Sequence, residues 1–125
     1  MTEIKNECLK AKQYDLEERT FEFARNVRLF IKKLPRTIAN IEDCRQVIRS
    51  SGSMGANYIE ANEALSKKDF TMRIKICRKE SKETKLWLRL LDTGDNEDLE
   101  KERSGLLNES DELMKIFSAI MRKSQ

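Results

Sequence analysis

The residues of this chain best suited to chemistry are cationic. Lys75, Arg78, Lys82, Lys85 and Arg89 recur at steps of three and four, a spacing that sets side chains along one side of an α-helix. Lys67, Lys68 and Lys79 add charge nearby. Such a row can neutralise several phosphates, giving salt-sensitive and largely sequence-independent binding to nucleic acid, RNA or DNA. No aromatic side chains interleave with the cations, so base stacking on a single strand is not supported. A duplex backbone, a folded RNA or an acidic protein surface fits better. The plain alternative is a solvated helix face, because Lys-rich surfaces are ordinary.

Other chemistries lack their residues. The 125-residue chain contains no histidine, so neither a Ser-His nor a Cys-His nucleophile can be assembled and no imidazole ligand exists. Glu60 with Glu63, and Glu80 with Glu83, are spaced like carboxylates of a di-iron bundle, but the Glu-x-x-His element is missing. Cys8, Cys44 and Cys77 are odd in number and far apart, which argues against a disulfide framework and a zinc site. Cys44 and Cys77 fall on apolar stripes and read as small buried hydrophobes. No catalytic residue, metal ligand or cofactor is assigned.

A second constellation is Arg49, Ser53, Asn57 and Glu60, a polar row on one side of a helix. Asn57 is a poor helix former close to the core face. Asn57 and Glu60 are either a device that hydrogen-bonds across helices to fix register or a solvated polar face. The row overlaps a run of small residues, Ser50-Ser51-Gly52-Ser53-Met54-Gly55-Ala56. Two glycines inside a helix cost up to ~1 kcal/mol each relative to Ala, so they call for close backbone approach to a neighbour, with Gly55 on the packing face.

Four segments with heptad-like spacing position these residues. The first places Leu16, Thr20, Phe23, Val27, Phe30 and Leu34 on one face, with Asp15 as N-cap, Glu18 completing a capping box and Pro35 ending the run. The second, entered through Thr37, aligns Ile41, Cys44, Ile48, Ser51, Gly55, Tyr58, Asn62 and Leu65, and is read as one unbroken helix through the glycines. The third opens at Ser66 with a capping box to Asp69. It aligns Phe70, Ile74, Cys77, Ser81, Thr84, Leu88 and Leu91, with Gly94 as its C-terminal cap. The fourth begins near Asp95-Asn96 and aligns Leu99, Arg103, Leu106, Ser110, Leu113, Phe117 and Ile120. Short joints make successive helices antiparallel, so the expected fold is all-α, an up-down-up-down four-helix bundle over residues 14–125 behind a flexible arm at 1–13.

Between Leu86 and Leu91 the third helix is apolar almost all around. Its seam uses Leu88 and Leu91, leaving Leu86, Trp87 and Leu90 for a broad core or a subunit interface of a homo-oligomer. Phe21 is likewise off its seam. Net charge is +3, yet residues 66–92 hold nine basic and four acidic side chains, while 93–125 hold five and eight. No stretch approaches a membrane span, and the opening residues lack an apolar signal core. A cytoplasmic protein without a membrane partner is the expectation.

The stretch Ile48-Arg49-Ser50-Ser51-Gly52-Ser53-Met54-Gly55-Ala56-Asn57-Tyr58-Ile59-Glu60-Ala61 resembles the signature of the bacterial 23S ribosomal RNA intervening-sequence protein family. That signature reads Arg, small residues, Ser, an aliphatic, then Asn-Ile-x-Glu-Gly or Ala, and Arg49, Ser53, Asn57, Glu60 and Ala61 match it. Phe70 through Lys85-Leu86-Trp87-Leu88 resembles the family's third helix, and the likeness extends over Tyr14 to Met121. Tyr58 and Ala61 stand where an aliphatic and Gly are commoner, which weakens any role tied to that turn. The resemblance implies a homopentamer of non-enzymatic bundles, similar to the accessory variability protein of diversity-generating retroelements. That protein engages a reverse transcriptase and nucleic acid. The partners so implied are further copies of the chain, RNA or DNA, and a reverse transcriptase or other protein. An acidic protein partner bound by a scaffold, without nucleic-acid contact, is the alternative function.

Overall fold

The computed structural model describes residues 2–124, with side chains from Leu16 to Ser124. Four helices follow in order, α1 (Thr2–Ile31), α2 (Ile38–Asn62), α3 (Lys67–Leu90) and α4 (Glu97–Lys123), and there is no strand among the described residues. The arm expected at 1–13, with Cys8 and the Asp15 side chain, lies outside the described side chains. Helix α1 is already under way at Asp15, so its start is not the cap read from the sequence.

The other three starts have local causes. Thr37, Ser66 and Asn96 each hold an extended backbone and accept a hydrogen bond from the amide three residues on, at Asn40, Asp69 and Leu99. Each satisfies one of the amides that a helix start leaves without a carbonyl partner. Helix α3 ends at Leu90, with Leu91 extended. Gly94 is therefore not its cap but part of the following turn, where Gly94 and Asp95 adopt positive φ of 67° and 60°.

Helices α1 and α3 each pack against both α2 and α4, closing a ring around one core. The seams read from sequence for α1 and α3 are buried throughout, except that Phe70 is half-buried. In α4, Leu99, Leu106, Ser110, Leu113 and Phe117 are buried, while Arg103 and Ile120 are half-buried.

Helix α2 runs unbroken through its glycines and buries Ser51 and Tyr58 as expected, but the rest of the expected seam is corrected. Its inward residues are Asn40, Val47, Ser50, Ser51, Met54, Tyr58 and Ala61. Ile41, Asn62 and Leu65 are exposed, while Cys44 and Ile48 are half-buried. The cause lies in the partner helix. Ser50 and Thr84 share a hydroxyl–hydroxyl hydrogen bond at 2.8 Å, Thr84 lies 3.8 Å from Met54 Sδ, and Cys77 Sγ donates to the Met54 carbonyl at 3.4 Å. Burial pushes the Cys77 thiol up to about 12, so it stays protonated and able to donate. These polar partners at the centre turn the small residues inward and leave the larger aliphatics at the edge.

One end of the bundle is closed by Asn40, which is 2 % exposed. Its Nδ2 donates to the carbonyls of Pro35 and Asp92, and its Oδ1 accepts from the Asp92 amide, all at 2.8 Å. A single side chain thus ties the α1–α2 joint to the α3–α4 joint. A Cβ on Gly94 would sit 3.1 Å from Pro35 Cγ, so the two joints are also in close contact.

Candidate nucleic-acid interface

Helix α3 presents the basic row because its phase is fixed by burial of Ile74, Cys77, Ser81, Thr84 and Leu88. A residue one step further round an α-helix projects about 100° away, so the cations stand beside that buried stripe. Lys75, Lys82 and Arg89 are exposed, and Arg78 and Lys85 are half-buried. The row borders α4, because Lys85 Nζ pairs with Asp111 Oδ1 at 2.9 Å. Asp111 also holds Lys115 at 3.2 Å, and hydrogen bonds from the two ammonium groups, with Lys85 first, lower its carboxyl pKa below the usual range.

Lys85 is therefore partly neutralised within the molecule, which sequence reading missed, since nothing local marks Asp111 as its partner. Lys75, Arg78, Lys82 and Arg89 enter no ion pair among the described residues. Lys75 continues the row to the start of α3, where Lys67, Lys68, Thr71, Met72 and Ser124 join it around an open cavity of about 600 Å³.

The polar row on α2 separates into different roles. Asn57 Nδ2 donates to the Ser53 carbonyl and to Ser53 Oγ, at 2.9 and 3.0 Å, and its Oδ1 accepts from Arg73 Nη1 of α3 at 3.0 Å. Asn57 thus crosses between helices through Arg73, a residue that sequence reading had not singled out. Arg49 also reaches α3, 3.3 Å from Glu83 and 3.9 Å from Glu80. Glu80 is buried, and its Oε2 has no hydrogen-bond partner among the described residues. Burial first, and then the charge of Glu83, raise its carboxyl pKa above the ordinary range. Glu60 is exposed and enters no ion pair among the described residues. A Cβ on Gly55 would approach Thr20 Oγ1 of α1 to 3.2 Å, which accounts for glycine there.

Of the apolar trio on α3, Leu86 and Leu90 are 48 % and 55 % exposed, whereas Trp87 packs partly buried against the core. The indole Nε1 is buried without a hydrogen-bond partner among the described residues. Phe21 is also exposed. Among the described residues no three His, Cys, Asp or Glu side chains group as metal ligands, and no helix is long and apolar enough to cross a membrane.

The same chain matches known proteins over most of its length. The model of the 23S rRNA-intervening sequence protein family matches residues 12–119. Among solved structures, the chain is similar to a protein of unknown function from the S23 ribosomal protein family of Bacteroides thetaiotaomicron. The two share 28% sequence identity with a TM-score of 0.73, over 89% of this chain and 98% of that one. No curated protein matches. The matched segment contains α2 with its small-residue run, α3 with its cations and nearly all of α4, and so the chain belongs to the 23S rRNA-intervening sequence protein family.

Proposed function

We propose that this protein is a non-enzymatic, homo-oligomeric helical bundle that binds structured RNA through the α3 row Lys75, Arg78, Lys82, Lys85 and Arg89. The observation that carries the reading is that four of these five cations have no counter-ion among the described residues, on a face that continues into Lys67 and Lys68. Charges left unpaired on one rigid helix are available to phosphates, and each phosphate contact releases condensed counterions. A family named for an intervening sequence of 23S rRNA favours RNA over DNA as the ligand. The lack of histidine supports a binding role over a catalytic one.

The bundle is read as antiparallel, up-down-up-down. Support comes from contacts in reversed order, since Arg49 meets Glu83 while Asn57 meets Arg73. Self-association is supported by the uncovered Leu86 and Leu90, and the family likeness suggests five copies. A cytoplasmic location agrees with an RNA ligand.

Fluorescence anisotropy with a labelled RNA hairpin tests the reading. Reversing Lys82→Glu and Arg89→Glu together is expected to weaken binding roughly tenfold or more at moderate salt. Unchanged affinity in a folded double variant would rule out the α3 row as the contact. Light scattering tests association separately, and a strictly monodisperse monomer would remove that part of the proposal.

A further inference from the structure

The expected α2 seam included Ile41, Cys44 and Ile48, yet these side chains are not inside the bundle. They form an i, i+3, i+7 stripe along α2 that, with Ile31 of α1, floors an open groove of about 470 Å³. Ile41 is 41 % exposed, and Ile31, Cys44 and Ile48 are half-buried. Among the described residues, the helices leave this stripe only partly covered.

The rim is cationic. Lys32, Arg36 and Arg45 line the groove, are all exposed, and enter no ion pair among the described residues. The acidic neighbours on α2, Glu42 and Asp43, do not line it. The first turn of α2 carries no acidic residue, so the positive end of its dipole adds to the same field.

We propose that the α1–α2 groove docks an acidic amphipathic helical segment of another protein. Apolar anchors spaced i, i+3 and i+7 are what a helix laid in a groove presents, and its carboxylates would meet the three rim cations. Charge complementarity sets the sign of the partner, and the apolar floor sets its amphipathic character. A phosphate backbone would satisfy the rim but leave the isoleucines uncovered. The groove is built from the end of α1, the α1–α2 joint and the start of α2, whereas the basic row borders α4. In a ring where α1 neighbours α2 and α4, these faces lie on opposite sides of the bundle. The proposal therefore does not depend on the α3 row binding RNA.

The probe is a synthetic, fluorescein-labelled peptide of Leu and Glu, with leucines at i, i+3 and i+7. Its control is a scrambled peptide of the same composition. The amphipathic peptide is expected to bind at least about tenfold tighter than the scramble. The double variant Arg36→Glu with Arg45→Glu is expected to weaken it by a similar factor, as is Ile41→Asp alone, with helicity by circular dichroism unchanged. Lys82→Glu with Arg89→Glu should leave it untouched. Amide chemical shifts should move at the end of α1 and the start of α2. Four results would each overturn the proposal: equal binding of the scramble, sensitivity only to the α3 variants, no binding at all, or groove-dependent binding of anionic phospholipid vesicles without peptide binding.

Discussion

At the centre of the α2–α3 seam Ser50, Met54, Cys77 and Thr84 meet, each fully buried, with Arg49–Glu83 and Arg73–Asn57 only at its edge. Between α1 and α4 the joining groups are long and charged. Arg19 reaches Glu109 with two hydrogen bonds at 2.8 and 2.7 Å, and Lys33 reaches Glu102 at 3.0 Å. Beneath those ion pairs lies an open groove of about 440 Å³, where a Cβ on Gly105 would meet nothing within 4 Å. The contrast teaches where this fold is specified. Small residues let two backbones approach and hydrogen-bond away from water, where a misfit is costly. Ion pairs in contact with water hold the other edge more loosely, the exposed Lys33–Glu102 pair at about 0.2–1 kcal/mol.

Substitutions at the two seams should therefore differ in size and even in sign. The largest effect is expected for Ser50→Leu, which forces a long side chain into a site with no exposure and should cost about 3 kcal/mol or more, read by urea denaturation. A small effect there would mean that α2 and α3 can separate without penalty. Next, Gly55→Ala places its Cβ 3.2 Å from Thr20 Oγ1, on a residue only 1 % exposed. Its clash should outweigh the gain in helix propensity, for a net loss of about 1 kcal/mol in the same assay.

Glu80 gives a pH-dependent comparison. Its carboxyl pKa is raised in the folded state, so the folded protein holds the proton more tightly than the unfolded chain. Stability should fall as pH rises from the ordinary carboxylate value through the raised one. Glu80→Gln should remove that decline, raising Tm at neutral pH and having little effect under acid conditions. A variant less stable at neutral pH would show that the Arg49 contact outweighs burial.

At the α1–α4 edge, Gly105→Ala should stabilise the protein by about 0.5–1 kcal/mol, because the helix gains propensity and nothing obstructs the methyl group. The smallest effect is expected for Lys33→Ala, under about 0.5 kcal/mol, and salt should diminish it further. A large loss there would promote this edge to a structural seam.

The same contrast explains what could be read from the sequence. In α1 and α4 most inward positions hold large apolar residues at regular steps, and in α3 Ile74 and Leu88 bracket Cys77, Ser81 and Thr84 in one unbroken phase, so periodicity found them. In α2 the most apolar candidates, Ile41 and Ile48, are at the edge, while Asn40 and Ser50, outside the expected seam, face inward. A pattern based on hydrophobicity assigns the wrong phase when polar groups are buried with partners. The partners are distant in sequence: Thr84 lies 34 residues from Ser50, and Asp92 lies 52 from Asn40. The cations of α3 were legible as a face, since i, i+3 and i+4 spacing needs only a helix. Neutralisation of Lys85 by Asp111, 26 residues away, was not. Groove cations Lys32, Arg36 and Arg45 escaped because the first two lie in the α1–α2 joint and the third on α2, so no single periodicity joins them.

The central claim is that the α3 face neutralises RNA phosphates, and the salt dependence of binding addresses it most directly. With about four phosphates neutralised, log K should fall against log salt with a slope near −3.6 for a duplex-like RNA, roughly a hundredfold between 50 and 200 mM. Lys82→Gln should make that slope shallower by about one. A slope near zero, or one unchanged by Lys82→Gln, would contradict the account.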